Sequence, residues 1–257
     1  MKRDFESAPV HLPENQRAAD YEYYARLNEY YASSAGTHVD KLRGFTKYVP
    51  VAELGRFLAR ARIFERVLTV PGSVVECGVF NGAGIMTWAA LSAILEPLNH
   101  VRRVIGFDTF QGFVAAGPKD ASQTANPHAV PGGLTADSFD DIEKSAAIFD
   151  GYRPLGHIPK IELVKGDALT TIPDYLDRNR HLVVSLLYLD FDLYEPTRCA
   201  LERFVPLMPK GAIIAFDQLN QRAWPGETTA LADSLGIRSL KLERLPFQPQ
   251  IAFAVLE

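Results

Sequence analysis

Five times between residues 73 and 236 a short β-rich run gives way to a helical stretch. The runs are "SVVECGVF", "RRVIGFDTF", "KIELVKGDA", "LVVSLLYLDFDLY" and "GAIIAFDQL", and they alternate with "GIMTWAALSAIL", "SFDDIEKSAAIFDGY", "TIPDYLDRN", "EPTRCALERFVPLM" and "TTALADSLG". Parallel neighbours need a crossover of a dozen or more residues, usually a helix that then covers a face of the sheet. The alternation therefore predicts an α/β chain with a mostly parallel sheet wrapped on both faces. Upstream, Leu54, Phe57, Leu58, Ala61 and Ile63/Phe64 recur at helical spacing and predict a core-facing helix from Val51 to Leu68, stopped at Pro71-Gly72. "SLKLERL" and "QIAFAVLE" read as two final strands able to pair antiparallel. Residues 1–50 are polar and tyrosine-rich, with "DYEYYARLNEYY" as a helix, and form an N-terminal arm or lid; residues 51–257 form the main domain. Residues 114–137, rich in Gly, Pro and Ala, make a long loop of the kind that carries function.

Composition excludes several classes. A net charge of -4 without a basic block argues against nucleic acid or an anionic membrane as the main partner. "MKRDFESAPVHLPENQ" has no apolar core of a signal peptide, and no apolar run is long enough for a span, so a cytoplasmic location is expected. Cys77 and Cys199 show no metal-like spacing and read as buried thiols. The arm is expected to serve as a lid or as the contact of a homo-oligomer.

The first strand runs into a glycine turn, "VVECGVFNGAG", which holds Glu76, Gly78, Gly82 and Gly84. Glycines let a ligand approach the backbone, and the following helix offers free N–H groups. The spacing is not the dinucleotide fingerprint G-x-G-x-x-G, and an acid precedes the first glycine. It resembles motif I of S-adenosylmethionine (SAM)-dependent methyltransferases, whose class I sheet ends in a terminal strand pair on a Rossmann-like core of seven strands. That resemblance implies a SAM site in which Glu76, Gly78 and Gly82 form the turn. Asp108, in "IGFDTF", would hold the ribose, and Asp167 and Ala168, in "LVKGDA", would lie against adenine. SAM is cationic and has no pyrophosphate, which suits nearby carboxylates. The plainer alternatives are glycines needed only for packing and Asp108 as a solvated loop carboxylate.

"LLYLDFDLY" sets Asp190 and Asp192 at the end of an apolar run, and "IIAFDQLN" ends in Asp217. Ligands of open α/β sheets bind outside the carboxyl ends of the strands, so these acids are expected to converge there. If the chain stays extended, Asp192 shares a face with Asp190. Clustered carboxylates repel unless a cation intervenes, and a hard divalent ion such as Mg²⁺ is the economical answer. A capping role, or pairing of Asp192 with Arg198, is the alternative.

From "LRGFTKYVP" through "PGSVVECGVFNGAG", "IGFDTFQGF", "LLYLDFDLYEPT" and "IIAFDQLNQRAWPGE" the sequence resembles the macrocin O-methyltransferase (TylF) family. The resemblance implies SAM- and Mg²⁺-dependent methylation of a sugar hydroxyl in antibiotic biosynthesis. It makes Asp190 and Asp217 metal ligands and Asp192 the general base. Trp224-Pro225-Gly226 matches a family loop near the acceptor, with plain packing as the equal alternative for Trp224. The family pattern has a second acid after Asp217 where this chain has Gln218; an amide oxygen still ligates Mg²⁺, at the cost of one negative charge. A nucleotide-activated deoxyhexose such as TDP-rhamnose, or a glycoside, is the expected acceptor. His128 and His157 are alternative bases or surface histidines. A catechol-type metal-dependent O-methyltransferase, a nicotinamide-dependent oxidoreductase and a non-catalytic SAM-binding subunit are the competing functions.

Overall fold

The sheet is built from strands whose residues alternate between two apolar layers. In β1 (Ser73–Cys77) Val74 joins one layer while Val75 and Cys77 join the other. The computed structural model describes residues 18–122 and 126–257. The reading of the first sixteen residues as free of an export signal, the start of the arm, and residues 123–125 of the long loop lie outside the described residues. Two compact units divide the chain, Met1–Gly55 and Arg56–Glu257.

The first unit holds α1 (Ala18–Ser33) and α2 (His38–Arg43). Thr37 and Asp40 form a reciprocal capping box that satisfies the otherwise unpaired first N–H groups of α2. Tyr31 packs edge-on against Tyr48 at 5.1 Å, and Lys47 lies over the Tyr48 ring at 5.2 Å.

In the second unit seven strands lie in the order β3-β2-β1-β4-β5-β7-β6. They are β1, β2 (Val104–Asp108), β3 (Ile161–Lys165), β4 (Val184–Leu189), β5 (Ile213–Phe216), β6 (Glu243–Leu245) and β7 (Gln248–Val255). The first five are parallel, while β7 runs antiparallel to both β5 and β6, as the sequence led us to expect. One face is covered by α3 (Val51–Val67), from Ala59 onward, with α4 (Ala83–Leu95) and α5 (Phe139–Asp150), through Ile63, Phe64, Ile85, Trp88 and Ile142. The other is covered by α6 (Ala168–Arg178), α7 (Tyr194–Phe204) and α8 (Gly226–Ser234), through Ile172, Tyr175, Leu201, Phe204 and Leu231. Helix α6 begins at Ala168 rather than Thr171, because Asp167 caps it by accepting from the Leu169 N–H at 2.9 Å. Both cysteines are free and buried. No helix among the described residues is long and apolar enough to cross a membrane.

The strand order reverses at β1, which pairs with β2 on one side and β4 on the other. Crevices outside such a switch point are where open α/β sheets bind ligands. The carboxyl ends of β1, β4 and β5 meet there, with Asp190 N–H bonded to Cys77 O at 2.7 Å and Asp217 N–H to Leu189 O at 3.0 Å.

Candidate active site

Strand alternation puts Glu76 on the α3/α4 side of the sheet, in register with Tyr188. Its carboxylate is 1% exposed, and its Oε2 has no hydrogen-bond partner. The Oε1 fills the space beside Gly84, where a Cβ would lie only 1.7 Å away. Burial pushes the Glu76 carboxyl up to about 8; Arg60 draws it down, and Asp190, Asp108 and Asp217 push it further up. A buried acid with an unpaired acceptor oxygen is left to accept from a ligand's donor. Gly78 has φ +97°, and a Cβ there would sit 2.0 Å from the Asp190 carbonyl oxygen, so only glycine lets the β1 and β4 exits touch. Gly82, at φ +83°, opens α4.

Asp108 organises the same turn. Its Oδ2 accepts from the Val79 and Phe80 N–H groups, each at 2.8 Å, and its Oδ1 accepts from Phe110 N–H at 2.7 Å. Three acceptor sites are used, which leaves this carboxylate about one for a ligand hydroxyl. Asp167 helps line a cavity of about 390 Å³ with Thr109, Gln111, Phe113 and Lys165. Ala168 is not brought to it: it is buried in the apolar layer with Ile172, because α6 has already begun there.

The acids after β4 and β5 do converge, but not as an extended strand would place them. Strand β4 stops at Leu189, and Asp192 has φ +64°, so the alternation that would align Asp190 with Asp192 is broken. Asp192 is instead folded inward, 6% exposed, with its N–H donating to Glu227 Oε1 at 3.3 Å. It does not pair with Arg198, which bonds Glu195 and Glu202. Burial, and then the Asp217 charge, push the Asp190 carboxyl up to about 7. Burial followed by the charges of Asp190 and Asp217 pushes Asp192 well above the usual carboxylate range. Asp217 accepts three bonds: Oδ2 from Arg56 at 2.6 Å and from Gln218 Nε2 at 3.1 Å, and Oδ1 from the Tyr188 hydroxyl at 2.6 Å. The Asp217 charge in turn holds the Arg56 guanidinium firmly protonated.

Among the described residues no three His, Cys, Asp or Glu side chains are grouped to hold a metal ion. The expected set is two carboxylates, Asp190 and Asp217, with the Gln218 amide. Two observations suit a hard ion: beyond burial, the charges of Asp190 and Asp217 raise the cost of ionising Asp192, which a cation would relieve, and the buried Gln218 Oε1 has no donor. Mg²⁺ typically takes one or two carboxylates and fills its octahedron with water, so this small set fits it once Arg56 yields one Asp217 oxygen.

Sequence reasoning missed five contributors: Arg56, Arg60, Asp120, Tyr188 and Glu227. Arg56 and Arg60 were legible as cations four residues apart on a helix, a spacing that puts them on one face. Glu227 followed the quoted Trp224-Pro225-Gly226, but nothing local marks it as fully buried. Trp224 is 8% exposed and packs edge-on against Phe113 at 5.6 Å. Nearby, Asn126 Nδ2 bonds Ala223 O at 2.9 Å and Ser122 Oγ bonds Arg222 O at 2.6 Å, so the long loop is laced to the segment after β5. His157 is exposed, and His128 is half-buried in the long loop.

Comparison with known proteins assigns this arrangement to a lineage. The profile of the macrocin-O-methyltransferase (TylF) family matches residues 58–234. The chain is similar to the calicheamicin methyltransferase CalS11, with 31% identity, a TM-score of 0.88 and coverage of 98% of this chain and 96% of that one. An apo structure of CalS11, a TDP-rhamnose 3'-O-methyltransferase of calicheamicin biosynthesis, matches at 31% identity and TM-score 0.80, covering 93% and 95%. The O-methyltransferase NovP, at 18% identity, TM-score 0.60 and 79% of each chain, shares the fold. No curated protein sequence matches significantly.

Proposed function

From a chain that belongs to the macrocin O-methyltransferase family, and is therefore a methyltransferase, we propose Mg²⁺-supported transfer of the SAM methyl group to a hydroxyl of a deoxysugar. The acceptor in this reading is a nucleotide-activated hexose such as TDP-rhamnose, the substrate class that CalS11 carries in its name. One observation carries it: half-buried Asp190 and buried Asp192 and Asp217 meet at the carboxyl ends of β4 and β5, beside the Gly78 turn and the unpaired oxygen of Glu76.

In this reading Glu76 receives the cationic part of SAM, Gly78 and Gly82 admit its backbone contacts, and Asp108 offers its remaining acceptor site to the ribose. Asp167 borders the adenine end in the cavity after β3. Asp190, Asp217 and Gln218 would hold the divalent ion, which would supply acidity to the acceptor hydroxyl. Asp192 takes the acceptor's proton as general base. The buried walls of the crevice hold oxygen and methyl in line and keep water out. Residues 1–50 act as an N-terminal arm and residues 51–257 as the methyltransferase domain, and the protein works as a cytoplasmic homo-oligomer.

The test is a labelled-methyl screen of TDP-sugars, glycosides and catechols, with Mg²⁺ and with excess EDTA. Transfer to sugar acceptors that stops under chelation supports the proposal. Transfer to catechols alone would favour the aromatic-diol reading, and full sugar turnover in EDTA would remove the metal. Asp192→Asn is expected to bind SAM normally and to transfer methyl about 10²–10⁴-fold more slowly; unchanged turnover would remove it as the base.

A further inference from the structure

Glu227 is a second-rank residue by sequence and a central one by position. It opens α8, is 0% exposed, and spends both carboxylate oxygens on backbone. Its Oε2 accepts from the Gln218 N–H at 3.0 Å, and its Oε1 accepts from the Asp192 N–H at 3.3 Å. One side chain thus ties the segment after β5 to the segment after β4. Burying a carboxylate among other acids is costly, and nearby Asp190 and Asp192 make it costlier. A residue kept there for shape alone would be better apolar.

The other side of the same turn is clamped by a second buried acid. Asp120, 5% exposed, accepts from Tyr194 N–H at 2.6 Å and from Gly117 N–H at 2.7 Å. Between the two acids lies Gly226, where a Cβ would come within 2.5 Å of Asp120 Oδ1 and 2.6 Å of Asp192 O. Asp192 therefore holds its left-handed backbone, φ +64°, in a turn whose N–H groups at both ends are gripped by buried carboxylates. A non-glycine residue in that region costs free energy unless its surroundings impose it.

We propose that Glu227 is the positioning residue for Asp192: its bridge sets the angle at which Asp192 meets the acceptor hydroxyl, and Asp120 couples that angle to the long loop at Gly117. The proposal rests on the reading of Asp192 as base, and its test separates the two. Glu227→Gln preserves size but offers a single acceptor oxygen. The shorter bond, to Gln218, keeps that oxygen, and the Asp192 N–H loses its partner.

Hydrogen exchange on the full chain should then speed at the Asp192 amide by about tenfold or more, with the Gln218 amide less affected. With TDP-rhamnose and labelled SAM as probes, kcat per SAM-binding site should fall about 10–100-fold while the SAM Kd stays within about twofold, since misplacement near 1 Å costs on that order. In an Asp192→Asn background the same change should add almost nothing, because both act through one group. Asp120→Asn approaches the turn from the opposite side and should reproduce the fall in kcat without the loss of SAM binding. Unchanged exchange at Asp192 overturns the bridge. Unchanged kcat, or an equal loss in the Asp192→Asn background, overturns the positioning role. Full turnover by Asp192→Asn alone removes the base assignment, and with it the positioning role.

Discussion

If Glu76 receives the cation of SAM, binding must expel a proton. The free protein holds this carboxyl at about 8, against an ordinary value of 4.5, because it is buried with one oxygen unpaired. At about pH 6.5 it is almost wholly protonated, and ionising it costs about 2 kcal/mol, or thirtyfold in affinity. Isothermal titration in buffers of low and high ionisation enthalpy should register close to one proton released per SAM at that pH. The α-amine of the ligand titrates near pH 8, so Glu76→Gln serves as the reference: it should bind SAM weakly and release none. The same shift acts on stability without ligand. A carboxyl whose folded pKa lies above its unfolded one binds more protons in the native state between 4.5 and 8. Its contribution is therefore fullest below 4.5 and declines as pH rises through 8. Between about pH 6 and pH 9 the wild type should lose about 3 kcal/mol more than Glu76→Gln in denaturant titrations. Proton release equal in the two proteins, or parallel stability curves, would refute the assignment of Glu76.

Gly84→Ala should weaken SAM binding by at least about tenfold, since its methyl would lie 1.7 Å from Glu76 Oε1 and displace that carboxylate; a calorimetric Kd within twofold of wild type would contradict it. Gln218→Asp should tighten Mg²⁺, or Mn²⁺ followed by EPR, by restoring a negative ligand beside Asp217, and an unchanged or weaker metal Kd would count against Gln218 as a ligand. Lys160, whose Nζ donates to Ser92 Oγ at 3.1 Å and to the Asn99 and Arg102 carbonyls at 2.7 and 3.0 Å, is pushed down to about 8 by burial and by Arg153. Its unfolded form binds more protons between about 8 and 10.5, so stability from this group rises with pH over that window, and Lys160→Met should flatten the slope in thermal melts.

Much of the fold is legible in the sequence. Five apolar runs alternating with helical stretches could bury themselves only as a covered, mostly parallel sheet, and strand-end acids in such a sheet are bound to gather at one rim. The acids at Glu76, Asp108, Asp190 and Asp217 were readable for that reason, as was the glycine turn beside them. The order of residues also carried the likeness to the macrocin family, since its motifs lie in stretches that the sheet must keep in place.

What the sequence withheld depends on distance in space rather than order along the chain. Periodicity assumed that Asp192 stays on an extended strand; contacts from Glu227, and from Asp120 through Tyr194, turn it inward instead. The methyltransferase resemblance implied a ribose contact for Asp108, and only packing shows that it anchors the glycine loop. Arg56 reaches Asp217 across 161 positions, and Tyr188 meets the same carboxylate from inside a buried, mostly apolar strand. The sequence by itself determined the alternation of strands and helices and which acids end the strands, because those follow from local periodicity. The partners that make each buried carboxylate tolerable were decided by tertiary packing, because a charge is stabilised only by what lies within a few ångströms of it.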